Sequence, residues 1–262
     1  MVVNNTSKGH ALSSSLSPDG ADWVRNFDRW RATGATMGVY EWYVPAASDA
    51  SMADIPFIVG DAALDDLRLY RARGVKYMFY EAFNGEKTQN YPLRWPLYYV
   101  AATGMENPDR SATDLLRPAC EKLFGPAGPA MLEFYMGIAR AYNTSTARGS
   151  NWALPDPKVV FNAKVLDALN GALQEAERQA SNGDPMERKR MNDVRHCWNS
   201  AEAAITGKTQ QVQYEIIAEG LGSFYISEQE VNAAAIRELV GIADNLQVGI
   251  VHDDGTVTAM EP

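Results

Sequence analysis

Cysteine is nearly absent from this sequence: Cys120 and Cys197 are the only two in 262 residues. Two cysteines cannot build a disulfide framework. Neither lies in a CxxC or Cys/His cluster, so a zinc site is not expected. Two separately buried thiols are the expectation. Histidine is as scarce, with His10, His196 and His252 scattered along the chain. No HExxH, GxSxG, GxGxxG or P-loop pattern occurs, which removes the main support for zincin, serine-hydrolase, dinucleotide and nucleotide-phosphate chemistry. No metal and no cofactor are expected. Positive charge is also short: 24 Lys and Arg stand against 33 Asp and Glu, a net charge of −9. A nucleic-acid partner is therefore excluded, because phosphate backbones are bound by clustered cations. No apolar run approaches the about 18 residues that read as a membrane span. The first residues, MVVNNTSK, lack the apolar core of a secretory signal.

What is present is ordinary globular composition, 46% apolar and 22% charged. Residues 1–19 are polar and read as a loop. Trp23, Phe27 and Trp30 follow at helix spacing and predict a helix over 22–31 with one apolar face. Gly34 stops it. The segment 36–43, TMGVYEWY, is dense in β-branched and aromatic residues and reads as a buried strand. Pro45 opens a loop over 44–60. Residues 61–73 form a predicted helix, acidic early and basic late as the macrodipole favours. Gly74 caps it, and 75–81, VKYMFYE, is a second strand. Each unit runs helix, Gly, strand, and Tyr-Glu recurs 40 residues apart, at Tyr40-Glu41 and Tyr80-Glu81. That period suits βα units of a parallel sheet, and places 36–43 and 75–81 as neighbours. Two strands cannot close a barrel, so the α/β part reads as the last two units of one.

From Trp95 the chain turns helical. Helices are predicted over 96–103, over 111–124 with an interruption at Pro118, and over 126–142, 158–180 and 186–205. Residues 208–226 are ambiguous between strand and helix. Ser227 with Glu230 reads as a capping box opening a helix that carries Val231, Ala235, Ile236, Leu239 and Ile242. A small Asp-Gly hairpin closes the chain after Val248. The expected class is α/β followed by mainly α. It comprises a partial (β/α) barrel over 1–105, a helical bundle domain over 106–207 and a helix-and-hairpin extension over 208–262.

Three segments carry a resemblance. MGVYEWY (37–43) and LRLYRARGVKYMFYE (67–81) resemble the last strands of the domain-of-unknown-function family 4838. DLLRPACEKLFGPAGPAMLEFY (114–135) is similar to that family's helical hallmark, an aromatic-Gly-x-Ala turn matched by Phe124, Gly125, Pro126 and Ala127. His10 and Trp30 fall in the segment that precedes the penultimate strand. The resemblance spans roughly residues 8–205. It implies a glycoside-hydrolase-like barrel followed by a helical domain, related to glycoside hydrolase family 163, whose members act on N-acetylhexosamine-containing glycans. It also implies an exported parent protein, a glycan partner and no cofactor.

In that frame Glu41 and Glu81 are the candidate catalytic carboxyl groups, because barrel active sites gather at the C-terminal ends of strands. Glycoside hydrolysis needs two carboxyl groups about 5–9.5 Å apart, and adjacent strands lie about 4.8 Å apart. Alternation groups Val39 with Glu41 and Tyr43, and Tyr77 with Phe79 and Glu81. Either carboxyl group can instead face the helices and pair with a nearby cation. Trp42, Tyr43 and Trp95 are candidates to stack on sugar rings, with Asn84 and His10 as hydrogen-bonding partners. Tyr40 and Tyr80 read rather as core. The alternative class is a non-catalytic glycan-binding or protein-interaction module. An incomplete sheet edge would also favour self-association.

Overall fold

The computed structural model describes residues 2–3, 9–41, 55–80, 91–149, 154–181, 183–207, 211–216, 224–227, 248–251 and 257–259. The chain divides into two units, Met1–Ile205 and Thr206–Pro262. The described part is mainly helical, with a small parallel sheet.

The parallel sheet has three strands in chain order: β1 (Val2–Val3), β2 (Gly38–Glu41) and β3 (Tyr77–Tyr80). β2 and β3 pair in parallel, with Val39 opposite Met78 and Glu41 opposite Tyr80, as the 40-residue period requires. β1 corrects the expectation that residues 1–19 form only a loop: Val2 pairs with Val39 and Val3 with Tyr40. Two valines in a polar stretch carry no periodicity of their own. Only the distant partner β2 selects them as strand.

Helix α1 (Pro18–Arg31) follows β1, α2 (Asp61–Ala72) follows β2 and α3 (Tyr91–Glu106) follows β3. In α1, Trp23 and Phe27 are buried and their rings stack, whereas Trp30, in the last turn, is 62% exposed. α2 ends at Gly74, whose φ of 72° supplies the left-handed turn into β3. Gly60, before α2, has φ 50°, and a Cβ there would lie 3.1 Å from that of Ala139. Any side chain at this position meets both strain and crowding.

The stretch 55–59 is coil, in keeping with the loop expected over 44–60, and it is deeply buried. Ile55, Phe57, Ile58 and Val59 are all under 3% exposed. A buried coil must find donors for its carbonyls, and three side chains provide them. Arg94 Nη2–H donates to Ile55 O (3.2 Å), Tyr142 Oη–H to Pro56 O (2.7 Å) and Asn143 Nδ2–H to Val59 O (3.3 Å).

The helical part continues with α4 (Ala112–Phe124), a 3-10 turn (Gly125–Ala127) and α5 (Gly128–Thr144). Then come the short α6 (Pro157–Val160), α7 (Ala163–Ala180) and α8 (Pro185–Thr206). Caps mark the starts: Ser111 Oγ accepts from Asp114 N–H, and Asn162 Oδ1 from Val165 N–H. Asp184 and Glu187 cap α8 reciprocally, side chain to backbone in both directions. The neighbouring backbone N–H groups hold the Asp184 carboxyl below its ordinary range.

Two helices run through a proline: Pro118, expected as an interruption, and Pro96, expected as the start of its helix. A proline inside a helix leaves the carbonyl four residues earlier without its N–H. For Pro118 that carbonyl is Asp114 O, and Arg110 Nη2–H donates to it (2.9 Å). For Pro96 it is Pro92 O, and Tyr135 Oη–H donates to it (2.9 Å). The Tyr135 oxygen in turn accepts from Trp95 Nε1–H (3.1 Å), and burial pushes its phenol well above the ordinary value. α3 therefore runs from Tyr91 to Glu106, longer than the 96–103 expected.

In the second unit the ambiguous 208–226 stretch contributes β4 (Gln211–Ile216) and β5 (Phe224–Ser227). With β6 (Val248–Val251) and β7 (Val257–Ala259) they form an antiparallel sheet in the order β5-β4-β6-β7. The terminal hairpin pairs as expected, Ile250 opposite Thr258. Ser227 is the last residue of β5, and the helix predicted after it lies outside the described residues.

Tyr135→Phe should strand Pro92 O and the Trp95 N–H together, at about 1–3 kcal/mol for each group left unsatisfied. A melting temperature lowered by about 2–4 °C per kcal/mol is the expected reading. An unchanged melt would show that α3 holds its proline without Tyr135.

Candidate functional site

Glu41 ends β2 and is fully buried. Its Oε2 accepts from Tyr70 Oη–H at 2.9 Å, and Tyr70 sits in the last turns of α2. The carboxyl group therefore faces the helices. Register puts Tyr80 beside it on β3, and Tyr80 and Met78 pack against the helical core. The Tyr80 phenol is pushed well above its ordinary value by burial, then by Tyr98 of α3 and by Glu41. Tyr98 shifts the same way through burial, partly opposed by Arg94. Trp23 of α1 packs its ring 5.7 Å from that of Tyr70. All three helices thus gather on the Glu41–Tyr80 face of the sheet.

The opposite face is open. Tyr77 is 67% and Phe79 49% exposed, and Tyr40 stacks on Phe79 with ring centroids 5.0 Å apart and planes 18° apart. No described carboxylate lies on this face: the described residues that β2 and β3 place there are Gly38, Tyr40, Tyr77 and Phe79. The sequence pattern assigns Tyr40 to the core; it is half-buried on the open side instead.

Of the remaining expected residues, Trp95 and His10 are described, and they lie in different places. Trp95 is buried inside α3, its indole bound to Tyr135 and packed edge-on against it. His10 is 8% exposed and hydrogen-bonds the Ser145 carbonyl beyond α5. Glu81, Trp42, Tyr43 and Asn84 lie outside the described residues. Cys120 and Cys197 are both free and buried, and burial raises the Cys120 thiol to about 12. Among the described residues no cluster of His, Cys, Asp and Glu could hold a metal ion, and no helix is long and apolar enough to cross a membrane.

Sequence reasoning misses Tyr70 and Tyr98. A signal for Tyr70 is present: it lies on the apolar stripe of α2 with Leu64 and Leu67, the stripe that must face the sheet. Nothing local marks it as the partner of Glu41, 29 residues earlier. Comparison with family models, curated proteins and solved structures found no match.

A double-mutant cycle tests the inward carboxyl group. Glu41→Leu and Tyr70→Phe should each destabilise the fold, by about 1–3 kcal/mol where a buried partner is stranded. The pair together should cost less than the sum, with a coupling of about 0.5–3 kcal/mol in urea unfolding. Strict additivity would mean that the hydroxyl and the carboxyl group act independently.

Proposed function

We propose that this chain is the C-terminal portion of a glycoside-hydrolase-like protein acting on glycans. The observation that carries the reading is the one-sided sheet. Three parallel strands neighbour one another in chain order, the described helices that follow them lie on one face, and aromatic rings occupy the other. A doubly wound sheet would place helices on both faces. A (β/α) barrel keeps them all outside, which supports the partial-barrel reading. Flat, amphipathic rings such as Tyr40 and Tyr77 suit the C–H faces of sugars. The family resemblance of residues 37–43, 67–81 and 114–135 supports the same reading, with N-acetylhexosamine-containing glycans as the substrate class.

Within this reading the catalytic role falls to Glu81 rather than Glu41. Glu41 is buried against Tyr70, so its part is to seat β2 on α2. The second reading, a non-catalytic glycan-binding module, is favoured by one observation: the described open face carries aromatics and no carboxylate.

Glycan release from an N-glycosylated protein, followed by mass spectrometry, separates the two. In the parent enzyme Glu81→Gln should lower kcat by about 10²–10⁴-fold, the usual worth of a general acid or base. Glu41→Gln should leave kcat nearly unchanged. Tyr77→Ala with Phe79→Ala should raise KM under the enzyme reading and abolish glycan binding under the module reading. A parent protein that neither releases nor binds glycan would overturn both.

A further inference from the structure

His10 lies on the stretch that joins β1 to α1, and that stretch is pinned at two points. Leu12 N–H donates to Asp66 Oδ1 of α2 at 2.7 Å. His10 Nε2 lies 2.9 Å from the carbonyl oxygen of Ser145, the residue just past α5. A carbonyl only accepts, so Nε2 carries the hydrogen and Nδ1 is left as a bare lone pair. Nδ1 is buried and has no hydrogen-bond partner among the described residues. Neighbouring Gly9 has φ 108°, and a Cβ there would sit 3.7 Å from the Tyr142 ring and 3.8 Å from Pro155. The segment is therefore packed closely against α5 and the residues after it.

Among the described residues, none is placed to accept a second proton from the ring. The Tyr142 hydroxyl is engaged with Pro56 O, and burial holds its phenol above the ordinary value. Asp66 Oδ1 accepts from the Leu12 amide, two residues beyond His10. Arg148, on the segment after α5, is the charged group whose field reaches the ring, and it repels a second cation.

We propose that His10 is an acid-released latch: neutral, it fastens the β1–α1 connection to the end of α5, and protonated at Nδ1 it must leave its site and free that connection. Protonation would otherwise create a buried N–H with no acceptor among the described residues, within the field of Arg148, which favours exposing the ring. The direction of titration agrees. Burial lowers the imidazolium below its ordinary 6.5, the Ser145 carbonyl opposes this, and Arg148 adds to it. A lowered folded value means that the open state binds the extra proton first. The latch is therefore fully effective above about pH 6.5 and weakens as pH falls from there toward the folded value. One proton allows at most about a tenfold rise in the opening constant per pH unit.

Amide hydrogen exchange on the whole chain, corrected for intrinsic rates, reads this directly. Between about pH 7.5 and about pH 5, protection over residues 9–17 should fall by up to about tenfold per unit below about pH 6.5. In His10→Gln, which keeps a donor for Ser145 O but does not titrate, protection over the same residues should not change with pH. An equal pH response in the two proteins overturns the latch. Should the variant not fold, histidine NMR titration of the unsubstituted chain decides, with His196→Gln and His252→Gln assigning the signals. A His10 value at or above the ordinary 6.5 overturns the proposal, and a value below it supports it.

Discussion

Backbone carbonyls that side chains serve are the constraint on which the Met1–Ile205 unit depends; that of Val59 also accepts from the Ala62 N–H. Ile55, Pro56 and Val59 lie in buried coil, Pro92 and Asp114 are robbed of their donors by prolines, and Ser145 and Leu123 lie at or near helix ends. Each is met by a side chain: Arg94, Tyr142, Asn143, Tyr135, Arg110, His10 and Arg190 respectively. An unpaired buried carbonyl costs about 1–3 kcal/mol, a sizeable share of the stability of any domain. The long polar residues of α3 and α5 are accordingly part of the core. They bind the α/β part to the helical part by hydrogen bonds that no hydrophobic pattern reveals.

The same constraint separates the elements that are legible in the sequence from those that are not. β2, α2 and β3 are readable close to their observed bounds because each carries its own signal: β-branched and aromatic density, an ordered charge gradient, a capping glycine. β1, the buried run 55–59 and the full length of α3 are not, because each depends on a partner far along the chain. Pro118 reads as a break and Pro96 as a helix start by local rules, whereas both helices run on, with Arg110 and Tyr135 serving the carbonyls that the prolines leave. The run IPFIV reads as loop from its proline and the following glycine, and nothing local marks that loop as buried.

The candidate site is legible to the same depth. Alternation sorts Glu41 from Tyr40 correctly, yet cannot say which face the helices will cover. That choice is made by Tyr70, whose hydroxyl meets Glu41, and by Trp23 behind it. Once it is made, the carboxyl group turns inward and the aromatic rings of Tyr40, Tyr77 and Phe79 become the exposed chemistry of the sheet. The polar residue is hidden and the apolar ones are presented, the reverse of what a half-buried sheet ordinarily does.

The proline in the middle of α3 also has a bearing on synthesis. Pro92 O receives its donor from Tyr135, 43 residues further along the chain. A nascent chain that has emerged only through α3 holds a helix with an unserved carbonyl and an indole N–H without its acceptor. The β3–α3 unit therefore reaches its final form only after α5 has left the ribosome and docked. The α/β part and the helical part, separable by eye along the sequence, mature as one cooperative folding event.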